Sequence, residues 1–519
     1  MDMFRQSTPP FVLAPYHRQR SLWRQRVRQT IFYIVLIFVC ILYGFFVAVL
    51  PPAFYLWMAT PVALLSLIAI WALPDRKYVR TRGLEWLFFA YWIGYIMWPN
   101  YLSVALPGLP WISVRRLIIL PLTLILLISF STSKAFRDQV VEVCRHNQLI
   151  TRFLIGFLIV QTISIGFSTT PAASIMVYIN MHLMWTAILF VSIPIFLKPD
   201  RFERWVRITC YMAIATAIIG IVEWPQQHVL WRDYIPSFLK VDSESVQRAL
   251  EGQFNIVGGY RSASTFTLSL MFAEYLAMAT PFVLHYLFAV RATRARIIWA
   301  ICYALILFGL IRAGSRLGMV GFAVAHIMFF IIWAIRRRVK LRQSLLAAAV
   351  IYGYPAMAGT FVAIVLGVHR VRRVFLGGGE HQASTNARFD QWSMGWPKVF
   401  SRPLFGYGPG RSGETLGYVT PGGMYTVDSY YLSILLDFGF LGFICLFGMV
   451  VTAMIQSLRI GLYDESRDGA LVGCVGVSLG VFLFIKMVLS QADNHSMLFM
   501  LLGAVMVYSY RASVRAKAS

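Results

Sequence analysis

The chain has 519 residues, of which 58% are hydrophobic and 15% aromatic, and its mean hydropathy is +0.66. These values exclude an ordinary soluble domain and indicate a polytopic membrane protein. The formal net charge of +25 does not signal a nucleic-acid partner, because no basic soluble domain is present to bind one.

Residues 1–30 form a basic segment that includes Arg18, Arg20, Arg24, Arg26 and Arg28. No small-residue cleavage site follows the first apolar stretch, so that stretch reads as a retained helix. About fourteen stretches are long enough to span a bilayer, at about 20 apolar residues each. They lie near 31–50, 53–73, 84–105, 112–131, 149–168, 173–196, 203–223, 263–290, 297–312, 315–335, 344–368, 429–457, 469–490 and 496–510. Only Ala313 and Gly314 separate the 297–312 and 315–335 pair. The expected fold is all-α: a polytopic membrane helix bundle of about 12–14 transmembrane helices with two long extracytoplasmic loops.

Placing the N-terminus in the cytoplasm puts most Lys and Arg on inner segments, among them Arg291, Arg294, Arg296, Arg336, Arg337, Arg338, Lys340 and Arg342. This positive-inside bias makes both termini cytoplasmic. The expected organisation is a basic N-terminal segment (1–30), an N-terminal transmembrane bundle (31–223) and an extracytoplasmic loop (224–262). Central helices (263–368), a basic extracytoplasmic loop (369–428) and C-terminal helices with a cytoplasmic tail (429–519) follow. The six cysteines lie in spans or on the inner side, with neither a disulfide framework nor zinc spacing.

The 224–262 loop has balanced charge and reads as a surface cap with a short amphipathic helix near 243–251. The 369–428 loop is different. It carries Arg370, Arg372, Arg373, Arg388, Lys398, Arg402 and Arg411 against Glu380, Asp390, Glu414 and Asp428. Outer loops normally avoid such an excess, and headgroup anchoring with Trp392 and Trp396 is the plain explanation. Arg312 and Arg316 share this side; their i, i+4 spacing puts them on one face if the helix is continuous. Arg261 stands at the entry to the 263–290 span. Arginine in or beside a span faces a cavity or partner, and guanidinium is well shaped for bidentate phosphate contact. A lipid-linked phosphate or pyrophosphate is the substrate that this pattern suggests.

Other residues carry two readings. The glycines at Gly406, Gly408 and Gly410 are turn formers or donors of backbone N–H groups to phosphate. Asp428 is a general base or a helix N-cap, with Asp390, His369 and His381 as rivals for the base. Asp437 and Glu274 lie inside spans, with Lys486 as a partner for Asp437. Asp493-Asn494-His495 is a short polar turn. No outer segment shows metal-ligand spacing, and no cofactor is expected.

Four segments together resemble the O-antigen ligase and Wzy-type polysaccharide polymerase superfamily of bacterial inner membranes. They are Gly259 to Phe266; Ser315-Arg316-Leu317-Gly318; Arg388 to Gly410, with Trp392, Pro403-Leu404-Phe405-Gly406 and Gly408; and Asp428-Ser429-Tyr430-Tyr431-Leu432, followed by Leu436-Asp437-Phe438-Gly439 and Leu441-Gly442. The resemblance spans about residues 255–445. Asp428 stands where ligases of the superfamily place His, Ser429 where Asn is usual and Asp437 where Glu is common. Asp at that place is more like the exopolysaccharide polymerases.

The resemblance implies inverting, nucleotide-sugar-independent and metal-independent glycosyl transfer from a polyprenyl-pyrophosphate-linked glycan in the inner membrane. Asp428 would be the base, and Arg261, Arg316, Arg388 and Arg411 would hold the pyrophosphate. Arg312, Asp390 and His381 are secondary candidates. Membrane lipid, a chain-length regulator and a flippase of the same pathway are candidate partners. A polymerase of lipid-linked repeat units is the first reading. A ligase to lipid A core or protein is the second, and a transporter or flippase of lipid-linked sugars the third.

Overall fold

The computed structural model describes residues 22–51, 55–75, 81–105, 111–241, 243–254, 259–340, 344–368, 382–420, 423–464 and 467–518. The described residues form two compact units, one ending at Leu67 and the other made of residues 68–105 and those from Trp111 onward.

The first unit holds α1 (Leu22–Val49) and most of α2 (Tyr55–Trp71). Between Thr30 and Phe46 α1 is apolar all round, and Phe38 and Ile41 are exposed. A helix without a polar face suits a bilayer.

In the second unit the helices follow as α3 (Arg82–Met97), α4 (Val114–Thr132), α5 (Lys134–His146), α6 (Gln148–Ile165), α7 (Pro171–Met181), α8 (Ala187–Phe196) and α9 (Arg201–Gln226). A π-helical turn, His182–Thr186, joins α7 to α8 as one span. After the short α10 (Glu244–Glu251) come α11 (Ser269–Ala289), α12 (Thr293–Arg312), α13 (Arg316–Lys340) and α14 (Leu345–Gly367). The last set is α15 (Gln382–Ser401), α16 (Ser412–Leu416), α17 (Tyr430–Tyr463), α18 (Arg467–Lys486) and α19 (His495–Ala518). Among the described residues the strands form two short antiparallel ribbons, β1 (Ser103–Val104) with β2 (Ile112–Ser113) and β3 (Gln253–Phe254) with β4 (Tyr260–Arg261).

Helix α11 is the centre of this unit. Every residue from Met271 to Tyr286 is buried, and α9, α12, α13 and α18 pack around it. Lipid tails are as apolar as these side chains, so close packing and hydrogen bonds hold such helices together. Small residues allow the approach: a Cβ on Gly318 would lie 2.5 Å from that of Ala273, and one on Gly309 2.9 Å from that of Ala217. Trp92 and Trp205 stack with ring centroids 5.5 Å apart, and Trp205 meets Phe282 edge-on. Helices α17 and α18 form a hairpin against α6, and α19 lies along α8.

Each of the fourteen stretches expected from hydropathy is helical over most of its length. Among the described residues ten helices are long and apolar enough to cross a membrane, and Thr30–Phe46, Thr60–Trp71 and Leu345–Tyr354 are shorter apolar segments. The chain is thus an all-α polytopic bundle. The differences are local. The 84–105 stretch stops being helical at Met97, where Trp98 turns to extended geometry before Pro99. The 263–290 span starts only at Ser269. Arg312 and Arg316 do not share a continuous helix, since Gly314 takes a left-handed φ of +58° between them. The basic loop contains a helix that hydropathy did not reveal, α15, because its apolar side chains serve a small satellite core of Val399, Leu416, Val427, Leu432, Leu435 and Leu436.

Candidate active site

Helix α17 is interrupted near its start. Gly439 has φ 66° and ψ −169°, a conformation essentially confined to glycine. The break frees backbone groups that must find partners inside the bundle, and the Pro403–Gly408 turn supplies them. Tyr407 N–H donates to the Leu436 carbonyl (2.8 Å), Gly408 N–H to that of Asp437 (3.0 Å), and Phe440 N–H donates to Pro403 (2.7 Å). Ser164 Oγ of α6 bonds the carbonyls of both Phe405 and Asp437. The glycines therefore let one backbone approach another. Gly406 N–H goes to Arg402 and Gly410 N–H to the Asp437 carboxylate (3.1 Å), so neither is directed at a phosphate.

On the same end of this unit, α15 carries Arg388 and Gln391 on one face. The buried Gln391 side chain accepts the Asp428 N–H at 2.8 Å, which fixes Asp428 just before α17. Arg388 Nε stands 3.9 Å from Asp428 Oδ2, and both side chains are about one-third exposed. That separation makes an ion pair but not a hydrogen bond. Ser429, not Asp428, caps α17, accepting from Leu432 N–H, so the Asp428 carboxylate is not spent on capping.

Two more arginines join from distant segments. Ribbon β3–β4 carries Arg261, whose Nε donates to the Ala313 carbonyl at 3.3 Å. Burial, and then the charge of Arg316, lower the proton affinity of Arg261 below that of an ordinary guanidinium. Arg316, the first residue of α13, in turn feels the charge of Arg388. Arg388 pairs with Asp428, while Arg316 lies within electrostatic reach of Arg388 and Arg261 within reach of Arg316. Like charges within electrostatic reach repel one another, so such a set favours a bound anion.

The other expected residues lie elsewhere. Arg411 Nη1 donates to Thr170 Oγ1 (2.6 Å) and Glu414 Oε2 (2.9 Å). Arg312 turns onto Trp224, 3.8 Å from its ring centre, and Phe308. Asp390 is exposed. His381 and His369 lie outside the described residues. Two cations of the loop are structural: Lys398 Nζ donates to the Thr415 and Leu416 carbonyls, and Arg402 to that of Phe167 (2.6 Å).

Lys486 does not pair with Asp437. It meets Glu274 at 2.8 Å, both fully buried, and Asn494 Nδ2 donates to the other Glu274 oxygen at 2.8 Å. The Asp437 carboxylate is instead occupied by Gly410 N–H and Ser412 N–H (2.6 Å), which hold the turn around Arg411. Asp493 pairs with Arg115 at 3.2 Å. One residue escaped sequence reading altogether. Glu223, buried near the end of α9, accepts from Tyr260 Oη (2.6 Å), Ala263 N–H (3.0 Å) and Ser264 N–H (2.7 Å). Its signal was an acid in an otherwise apolar span, which is costly enough to need a reason.

Residues 301–447 fit the family model described as O-Antigen ligase; no curated protein matches the chain. The matched segment holds Arg316, Arg388, Arg411, Asp428 and the broken start of α17, while Arg261 and Glu223 precede it. That family implies a ligase- or polymerase-type transfer of lipid-linked glycan. Residues 301–447 thus resemble the O-antigen ligase family, and the chain, with ten long apolar helices among its described residues, is a multi-pass membrane protein.

Proposed function

We propose that this protein is a membrane glycosyltransferase that joins polyprenyl-pyrophosphate-linked oligosaccharide repeat units into an exopolysaccharide or O-antigen chain on the extracytoplasmic face of the bacterial inner membrane. The observation that carries this reading is the Arg388–Asp428 ion pair, with Arg316 in electrostatic reach of Arg388 and Arg261 of Arg316.

In the proposed reaction the hydroxyl oxygen of one glycan attacks the anomeric carbon of the other, which is bound through pyrophosphate to the polyprenyl chain. Asp428 takes the hydroxyl proton as general base. The bond from the anomeric carbon to the pyrophosphate oxygen breaks, and polyprenyl pyrophosphate departs with the electron pair, inverting the sugar. Negative charge grows on the departing oxygens. Arginines fixed beforehand stabilise that charge more in the transition state than in the ground state. Arg261, Arg316 and Arg388 are assigned this role; Arg411, bound to Thr170 and Glu414, is given none.

The family description favours a second reading, ligation of a finished glycan to lipid A core or protein. Deleting the gene separates the two. Loss of a polymerase leaves single repeat units on the carrier lipid, as expected here; long chains stranded on the carrier would establish the ligase instead. A flippase and a chain-length regulator of the same pathway are the proposed partners.

A further inference from the structure

The proposed site needs Arg261 aimed at Arg316 and Arg388, yet Arg261 sits on a short turn outside any helix. Three features fix that turn. The β3–β4 ribbon pairs Gln253 with Arg261. Ser262 N–H donates to the Arg312 carbonyl at 3.0 Å. The buried Glu223 carboxylate gathers donors from both sides of Arg261: the Tyr260 hydroxyl before it, and the Ala263 and Ser264 backbone N–H groups after it.

The geometry needs such an anchor. Ser264 has φ 54°, a left-handed backbone unusual for serine, and its Oγ is tied to the Thr216 carbonyl. Without an acceptor, the N–H groups of Ala263 and Ser264 would be buried and unsatisfied. Burial and the adjacent Glu223 both hold the Tyr260 phenol in its protonated, donating form. The carboxylate engages the backbone around Arg261 and not its guanidinium, whose Nε donates to the Ala313 carbonyl. Asp437 likewise holds the backbone around Arg411, through Gly410 and Ser412, although the Arg411 guanidinium itself is engaged by Thr170 and Glu414.

We infer that Glu223 is a positioning residue for diphosphate binding: a buried carboxylate that acts through Arg261 by holding the Tyr260–Ser264 turn in its binding geometry. This rests on the pyrophosphate reading of the site.

The test uses the full-length protein in lipid nanodiscs and inorganic pyrophosphate as probe, with affinity measured by calorimetry. Arg261→Ala is expected to weaken binding about tenfold, in line with loss of a charge-assisted hydrogen bond. Glu223→Gln, which puts an N–H₂ where an acceptor is needed, should weaken it about as much. The double variant should bind no more weakly than Arg261→Ala alone, because Glu223 acts only through that side chain. A residue that merely supports the fold would add its own loss in the Arg261→Ala background. If Glu223→Gln does not fold, Tyr260→Phe removes one of the three bonds and is expected to give a smaller loss, again absent when Arg261 is already alanine. Wild-type-like binding by Arg261→Ala, by Glu223→Gln, or by Tyr260→Phe where it stands in, overturns the inference alone, as does full additivity. No saturable binding by the wild type removes the pyrophosphate reading and the inference with it.

Discussion

Asp428 and Arg388 divide the proposed chemistry between them. The carboxylate is held by a backbone bond to Gln391 rather than by its own oxygens, which leaves those oxygens available to a hydroxyl. Arg388→Ala is expected to lower the rate by roughly two to three orders of magnitude, the usual loss when one preorganised donor to a growing oxyanion is removed. Arg388→Lys should recover little, since a point charge does not replace a planar fork. Ser429→Ala, by contrast, removes the helix cap and should cost about 1 kcal/mol of stability with activity retained. Turnover and thermal midpoints of the purified variants check all three. Arg388 and Asp428 stood out as candidates because surplus cations and an acid lie on one expected outer loop, and the structure sets them 3.9 Å apart. The roles of Arg312, Lys398 and Arg402 were not legible. Whether a guanidinium meets a phosphate, an indole or a carbonyl depends on side-chain direction, which spacing along the chain does not give.

Among the elements, the interrupted α17 and the Pro403–Gly408 turn make a single device. Each satisfies backbone groups that the other leaves open, and Asp437 ties that device to the turn bearing Arg411. Gly439→Ala should be costly, with about 1–3 kcal/mol of backbone strain and a Cβ pressed against Pro403 and Leu404. Gly353→Ala in α14 meets nothing within 4 Å and should be neutral. Thermal unfolding in detergent compares them, and equal midpoints would contradict the packing described here. The Glu274–Lys486 pair offers a second check. Breaking a buried pair costs about 3–5 kcal/mol, whereas replacing both partners by apolar residues of similar size is often tolerated. Lys486→Met should therefore destabilise more than the double variant Glu274→Leu with Lys486→Met. The sequence marked these buried charges but suggested Asp437 as partner for Lys486. Counting rise along a straight helix could not anticipate a break at Gly439, nor that Gly410 and Ser412 would occupy Asp437.

For the molecule as a whole, each of the fourteen stretches that hydropathy picks out holds a helix, because bilayer thickness fixes a minimum length and an apolar composition. Hydropathy missed α15, whose apolar residues alternate with charged and polar ones over a stretch too short and too mixed to read as a span. Charge asymmetry gives the proposed orientation, with the site outside and both termini inside. Cysteines introduced at Gly423 and Ser344 in a background lacking the six native ones should respond oppositely to a membrane-impermeant maleimide on intact cells. Gly423→Cys is expected to label and Ser344→Cys only after permeabilisation; the reverse pattern would invert the topology.

The decisive comparison is chain growth in isolated membranes supplied with radiolabelled lipid-linked repeat units, using wild-type protein and Asp428→Asn at matched abundance. Wild type should yield a ladder of lengthening glycans while Asp428→Asn leaves the label on single repeats. A normal ladder from Asp428→Asn would show that the carboxylate beside Arg388 is not the group that activates the attacking hydroxyl.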